Sequence, residues 1–175
     1  TIITNMKASI VLKLLKISRP TLCNYLKEGK IKGALQPNGY YDYDEESVYK
    51  LLNNDIPRIS VIYARVSTSK QKPDLENQIN TLRQFCSSQG VTVSKVYQDI
   101  SSGMDFDRKQ FQLLLEEAIN HRINRVYITY PDRLSRISYK MFKELFGRFN
   151  VEIKAVYETN DPQLIEKEVF QEIIS

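Results

Sequence analysis

The sequence predicts a chain in two parts. A small, basic, helix-rich unit with a β-hairpin comes first, and an α/β domain with a mostly parallel, helix-covered sheet follows. Three observations carry this reading. Residues 1 to 33 hold six Lys and one Arg against one acid, Glu28, a local balance of +6 in a chain whose net charge is +4. The polar stretch Asn53-Asn54-Asp55-Ile56-Pro57 then ends in a proline and reads as a linker. Beyond it, short Val/Ile-rich runs alternate with segments whose apolar residues recur at helical spacing.

In the first part, residues 8 to 16 carry apolar positions at helical spacing. Ser18 suits an N-cap and Pro20 a first helical turn, so a second helix is expected from about Arg19 to Glu28, stopping at Gly29. Leu22 and Leu26, one turn apart, would face inward, leaving Thr21, Asn24, Tyr25 and Lys27 on or near the outer face. Helix, tight turn, helix is the unit that places its second helix in a DNA major groove. Pro37-Asn38-Gly39 reads as the turn of a hairpin wing bearing Tyr40, Tyr41 and Tyr43, and Asp44 as the cap of a third helix from about Glu45 to Asn53. Thr21, Asn24 and Tyr25 are candidate base readers; Arg19, Lys27, Lys30 and Lys32 are candidate phosphate contacts, with Tyr40 on the wing. The competing reading of the basic block is a solvated helix face.

In the second part, strands are expected at Ile59 to Ala64, Val91 to Tyr97, Arg125 to Thr129 and Val151 to Tyr157. Helices are expected at Asp74 to Gln89, Arg108 to Asn120, Ser138 to Phe149 and Pro162 to Ile174. Sites in open α/β sheets form beyond the carboxyl ends of strands. Three such loops carry polar side chains: Arg65, Ser67 and Gln71; Asp99, Ser102, Gly103 and Arg108; Asp132, Arg133 and Arg136. A hydroxyl beside arginines suits attack on a phosphodiester, because the guanidinium forks grip phosphate oxygens and hold their charge. Arg133 and Arg136 would share one side of that loop if it is helical. Each feature alone is bland, since a Ser after a strand usually makes a turn and Asp-Arg pairs usually sit on surfaces. Their combination in this order is far more specific.

Bulk properties exclude other chemistries. The chain has 175 residues, 42% hydrophobic and 26% charged, as expected of a folded soluble protein. No apolar run approaches the roughly 20 residues that span a bilayer, and Lys7, Lys13 and Lys16 interrupt any secretory signal, so a DNA-associated cytoplasmic protein is expected, with no membrane partner. Cys23 and Cys86 lie far apart and read as reduced thiols. His121 is the only histidine, which poorly supplies zinc or His-dependent catalysis.

Two resemblances follow from these motifs. Ser18-Arg19-Pro20-Thr21-Leu22-x-x-Tyr25 and Asn38-Gly39-Tyr40-Tyr41-x-Tyr43 resemble MerR-like winged helix-turn-helix domains, although Tyr41 stands where that family often has Arg. Tyr63-x-Arg65-x-Ser67-x-x-x-Gln71, Asp99-x-x-Ser102-Gly103 with Asp107-Arg108, and Asp132-Arg133-Leu134-x-Arg136 resemble the serine recombinases, the resolvases and invertases, over residues 59 to about 160. That second resemblance implies that Ser67 attacks DNA to form a 5′-phosphoserine link. Arg65, Arg133 and Arg136 would hold the scissile phosphate with Arg108 assisting, and Asp132 would orient the arginines or handle a proton. Gln71, Gln78, Tyr63, Asp99 and Ser102 would support them, with no metal or cofactor. Gln71 and Gln78 lie further apart than in resolvases.

The order of the parts resembles the serine transposases of insertion sequences, with a reader at residues 1–53, a linker at 54–58 and a catalytic domain at 59–175, and that resemblance implies a last helix that would continue beyond Ser175. It implies double-stranded DNA and a homo-oligomer, a dimer that forms a tetramer in synapsis. The apolar stripe Leu164, Ile165, Val169 and Ile173 agrees with association or with docking on the chain's own sheet. Two other classes compete: a MerR-like transcription regulator with an α/β oligomerisation domain and no catalysis, and a hydrolytic phosphoesterase or nuclease, which would want a carboxylate or His cluster for a metal.

Overall fold

In the computed structural model, residues 5–53 and 56–157 are described, and the chain divides into two compact units between Pro57 and Arg58. In the first unit β1 (Asn5–Lys7) leads into α1 (Ala8–Leu15), and α2 (Arg19–Lys27) follows after a short turn in which Lys16 takes the left-handed conformation at φ 53°. The Ser18 hydroxyl caps α2 by accepting from the Thr21 N–H at 3.4 Å, and Pro20 fills the first turn. β2 (Gly33–Leu35) and β3 (Tyr41–Asp44) form a hairpin whose turn uses Gly39 at φ +79°, a conformation that favours glycine. α3 (Glu45–Leu52) is capped by Asp44, which accepts from the Ser47 N–H at 2.9 Å.

The sheet order is β1-β3-β2, all antiparallel. Three-residue β1 carries too short a pattern to be read from sequence; its Met6, paired with Tyr43, joins Val11, Leu22, Ile31, Val48 and Tyr49 in the core of this unit. Tyr25 departs from its expected outward position. It is half-buried against that core, and the Lys30 ammonium lies over its ring at 5.0 Å. The reason is its place one turn before Gly29, where the chain folds back and Ile31 N–H donates to the Tyr25 carbonyl at 3.2 Å.

The second unit contains β4 (Ile59–Val66), α4 (Lys72–Ser88), β5 (Val93–Ile100), α5 (Lys109–Ile119), β6 (Ile123–Ile128), α6 (Pro131–Leu134), α7 (Tyr139–Arg148) and β7 (Glu152–Ala155). The four strands are parallel in the order β5-β4-β6-β7. α4 covers one face through Leu82 and Cys86 against Ile62 and Tyr127. α5 and α7 cover the other through Phe111, Leu114, Phe142 and Phe146, against Val61, Tyr63, Val126, Ile128 and Ile153. β5 starts later than expected because the Val91 N–H is tied to the Cys86 carbonyl at the end of α4. It then runs on to Ile100 by pairing Gln98, Asp99 and Ile100 with Ala64, Arg65 and Val66. The helix expected at 162–174 lies outside the described residues.

From β4 the chain moves to β5 on one side, then crosses back to β6 on the other. The direction of winding therefore reverses between β4 and β6, the place where open α/β sheets build their sites. At the opposite, amino-terminal edge, Arg58 staples two helices. Its guanidinium donates to the carbonyls of His121, Phe149 and Asn150 at 2.9 to 3.1 Å and also contacts His121 Nδ1. These carbonyls lie just past the carboxyl ends of α5 and α7, where helix dipoles favour a cation. Arg58→Ala is expected to cost about 2–3 kcal/mol, seen as an earlier urea midpoint with an unchanged slope, because it orphans several acceptors at once.

Candidate active site

Ser67 sits one residue past β4, partly exposed, with its N–H and that of Thr68 donating to Gln71 Oε1 at 3.1 Å each. Gln71, in the short helical turn Ser69–Gln71, thus shapes the backbone that presents the serine hydroxyl. Gln78, on α4, grips Arg65 instead: its Nε2 donates to the Arg65 carbonyl at 3.1 Å and its Oε1 accepts from the Arg65 N–H at 3.4 Å. Two glutamines seven residues apart therefore fix consecutive stretches of the chain, Arg65 near the end of β4 and Ser67–Thr68 just beyond it.

Arg65 is fully buried, and its side chain runs under the serine. Nη1 donates to Ser67 Oγ at 3.3 Å and to the Ser101 carbonyl at 2.8 Å, Nε to the Arg133 carbonyl at 3.2 Å, and Nη2 to the Asp132 carbonyl at 3.1 Å. Arg133 returns the contact, with Nη1 donating to the Arg65 carbonyl at 3.1 Å while Nε and Nη2 straddle the Asp132 carboxylate at 3.2 and 2.8 Å. The two arginines are thus locked reciprocally, side chain to main chain, across the β4–β6 crevice.

Arg108 is the third buried guanidinium. It lies over the Phe111 ring at 4.3 Å and donates to the Leu134 carbonyl at 2.7 Å and the Tyr63 hydroxyl at 2.9 Å. The Tyr63 hydroxyl donates in turn to Asp99 at 3.0 Å. Asp99 also accepts from the N–H groups of Gln110 and Phe111, so it caps the start of α5 from the neighbouring strand. Burial pushes the Tyr63 phenol well above its ordinary range, and the ring is fully buried. Burial, with Arg133 alongside, holds the Arg65 guanidinium down to about 10. It remains cationic at neutral pH, but its charge is poorly solvated, and an arriving anion would relieve that.

Arg136 is placed differently from the sequence expectation. α6 ends at Leu134 and Ser135 is extended, with φ −163° and ψ 137°, so Arg133 and Arg136 do not share a helix face. Arg136 instead follows the bend, with its N–H donating to the Gly103 carbonyl at 3.3 Å and its side chain partly exposed. Gly103 is the contact point of two arginines. A Cβ built there would lie 2.8 Å from Arg65 Nη2 and 2.9 Å from Arg136 Cγ. Gly103→Ala is therefore expected to displace both side chains. Ser102 holds the same loop by accepting from the Met104 N–H at 3.2 Å.

Three loops thus meet at one sheet edge. Their buried charges are Arg65, Arg108 and Arg133 against Asp99 and Asp132, an excess of positive charge to which Arg136 adds. Sequence reading passed over the Ser101 carbonyl, since main-chain acceptors leave no residue signature. It also passed over Asp105, which accepts from the Ser101 hydroxyl at 2.6 Å and whose carboxyl is thereby held below its usual range. Among the described residues no group of three or more His, Cys, Asp or Glu stands together that could hold a metal ion, and no helix is long and apolar enough to cross a membrane.

The family model for the resolvase N-terminal domain matches residues 60–175, from the second residue of β4 onward. The chain belongs to the resolvase family, the serine recombinases. Its second unit resembles the C-terminal catalytic domain of ISC1926 TnpA, an IS607-like serine recombinase, at 38% identity and a TM-score of 0.61, over 66% of this chain and 78% of that one. A serine recombinase from Sulfolobus solfataricus is similar at 30% identity and a TM-score of 0.60, over 67% of this chain and 81% of that one. Two proteins of Acanthamoeba polyphaga mimivirus described as resolvases are 29% and 27% identical, the first over 78% of this chain and 71% of its own length, the second over 94% and 84%. The protein is therefore a serine site-specific recombinase, with a second unit of α/β fold built on a parallel four-stranded sheet.

Proposed function

We propose that this recombinase breaks and rejoins DNA through a covalent link on Ser67. The Ser67 oxygen attacks the phosphorus of a phosphodiester; the new bond joins Oγ to the 5′-phosphate, and the bond to the 3′-oxygen breaks. The serine proton leaves as the 3′-oxygen gains one, so the number of phosphoester bonds is unchanged and the reverse attack by a 3′-hydroxyl reseals the strand. The observation that carries this reading is the contact of Arg65 Nη1 with Ser67 Oγ at 3.3 Å inside a cluster of excess positive charge.

The donors of Arg65 are filled by the main-chain carbonyls of Ser101, Asp132 and Arg133, those of Arg108 by the Leu134 carbonyl and the Tyr63 hydroxyl, and those of Arg133 by the Arg65 carbonyl and the Asp132 carboxylate. For those arginines to grip phosphate oxygens, the segment from Pro131 to Arg136 has to shift and exchange carbonyl acceptors for phosphate. Arg136, already partly exposed, is suited to meet the phosphate first. Asp132 orients Arg133 through both carboxylate oxygens.

The first unit is proposed as a MerR-like winged helix-turn-helix reader at residues 1–53, joined by a linker to the catalytic domain. Its second helix, α2, exposes Asn24 and Lys27, and the wing presents Tyr40 at its tip. Thr21 is less available than Asn24, because its hydroxyl is engaged with Ser18 at 2.8 Å. Asn24→Ala is expected to cost about 1–3 kcal/mol at one base position, and Lys27→Ala to weaken all sequences alike and flatten the salt dependence. Competition binding at several salt concentrations separates the two. The active species is proposed to be a homo-oligomer.

A denaturing gel tests the catalytic reading. Incubation with DNA in EDTA should leave a protein–DNA adduct that survives detergent. Cleavage that appears only with magnesium and leaves no adduct would favour a hydrolytic nuclease.

A further inference from the structure

We infer that Tyr130 and Tyr157 form a ledge on which a nucleobase close to the cleaved phosphate stacks once it leaves its pair. The inference rests on the Ser67 reading above for where the phosphate lies. It starts from register. β4 and β6 align Ile62 with Tyr127, and β6 and β7 align Ile128 with Ala155. Counting on past the strand ends at Ile128 and Ala155 puts Tyr130, whose backbone is extended, level with Arg65, and Tyr157 level with Tyr130; the two chains stay joined there, with the Val156 N–H donating to the Ile128 carbonyl at 3.0 Å and the Tyr157 N–H to the Thr129 carbonyl at 2.9 Å. Side chains alternate along each strand. Val61 and Tyr63 in β4, Val126 and Ile128 in β6, and Ile153 in β7 all face α5 and α7. Counted by twos from those residues, Arg65, Tyr130 and Tyr157 fall in the same three rows.

The two tyrosine rings stack, with centroids 4.9 Å apart and planes 28° from parallel, and Tyr157 stays 44% exposed. Strands sit about 4.8 Å apart, so the ledge lies roughly 5–10 Å along the edge from the strand that presents Ser67, within about three nucleotides of the phosphate. Tyr130 is also built into the catalytic loop, because its carbonyl accepts from the Arg133 N–H at 3.1 Å. A stacked, partly wet aromatic pair at the mouth of an anion site matches the platforms on which single-stranded bases rest, where stacking is tolerant of sequence and strong for each base. A base held there would keep the strand locally unpaired beside the phosphate under attack.

The test uses the full chain with Tyr130→Leu, Tyr157→Leu and the corresponding Phe variants. The first arm is binding alone, in the Ser67→Ala background. Duplexes carry 2-aminopurine at a mismatch within three nucleotides of the cleaved position, where it is unstacked and bright. Protein with the tyrosines should quench it, the Phe variants should quench equally, and the Leu variants should not. The second arm is adduct formation with Ser67 present. On fully paired DNA the Leu variants should fall about 5- to 100-fold, with Phe near wild type, and the mismatch should restore the Leu variants. Equal quenching by Leu and Tyr proteins, or a Leu defect of the same size on paired and mismatched DNA, would overturn the ledge. Quenching intact with no adduct from wild-type protein would instead overturn the Ser67 reading and leave the ledge standing.

Discussion

Ser67→Ala is expected to bind DNA within about twofold of wild type and to form no covalent adduct. The expected loss is total because the oxygen that would carry the DNA is gone. Affinity is expected to stay because the serine side chain makes a single described contact, with Arg65 Nη1, and Arg65 keeps three main-chain acceptors without it. Tyr63 is the competing nucleophile by its position two residues before Arg65. It is disfavoured by being fully buried, by its engagement with Asp99 and Arg108, and by a phenol whose proton is held more tightly than usual. Tyr63→Phe should therefore still form adducts, at a reduced rate, since it removes an acceptor from Arg108. Adducts from Ser67→Ala, or their complete loss in Tyr63→Phe with the fold intact, would reverse the assignment.

The second large effect is expected from the arginines, and burial divides them. Arg65→Ala removes the charge beside Ser67 and strips acceptors at Ser101, Asp132 and Arg133 of their donor. It should lower cleavage by at least about 100- to 1,000-fold and also lower the melting temperature, because buried carbonyls lose their partner. Arg136→Ala should lower cleavage on a similar scale with little change in melting, because that side chain is partly exposed and α6 ends before it. Arg136→Lys should recover little, since an ammonium cannot reproduce a planar two-pronged grip on phosphate. Calorimetry beside a cleavage time course checks the split. Equal stability losses in the two alanine variants would contradict it.

Much of this architecture was legible in the residues because the second unit obeys simple periodicities. Leu75, Ile79, Leu82 and Phe85 recur at helical spacing and do line the inner face of α4. The run from Val61 to Ala64 is buried on both faces, as a central parallel strand requires. The rule that sites lie beyond strand carboxyl ends singles out the loops of Ser67, Gly103 and Asp132, and the fold brings those loops to one sheet edge. Other features leave no local trace. The reciprocal lock of Arg65 and Arg133 uses main-chain carbonyls, which every residue has. Asp99 reads as a supporting residue in sequence, but its partners, the phenol of Tyr63 and the first N–H groups of α5, are not announced by the residues around it. Whether Arg136 shares a helix with Arg133 depends on Ser135 turning extended, and nothing in the residues around Ser135 announces that. Arg58 looked like the end of a linker, and its role at two helix ends emerges only when residues more than 60 positions away are brought beside it.

In the proposed reaction the protein's own serine oxygen becomes bonded to DNA. The most direct measurement is tandem mass spectrometry of the adduct after nuclease trimming and proteolysis, in a reaction run in EDTA, with the freed DNA end characterised in parallel. Attack by Ser67 leaves a nucleotide phosphate on Ser67 and a free 3′-hydroxyl on the partner fragment. A nucleotide on Tyr63 or on any other residue, or a free 5′-phosphate with no modified peptide, would contradict it.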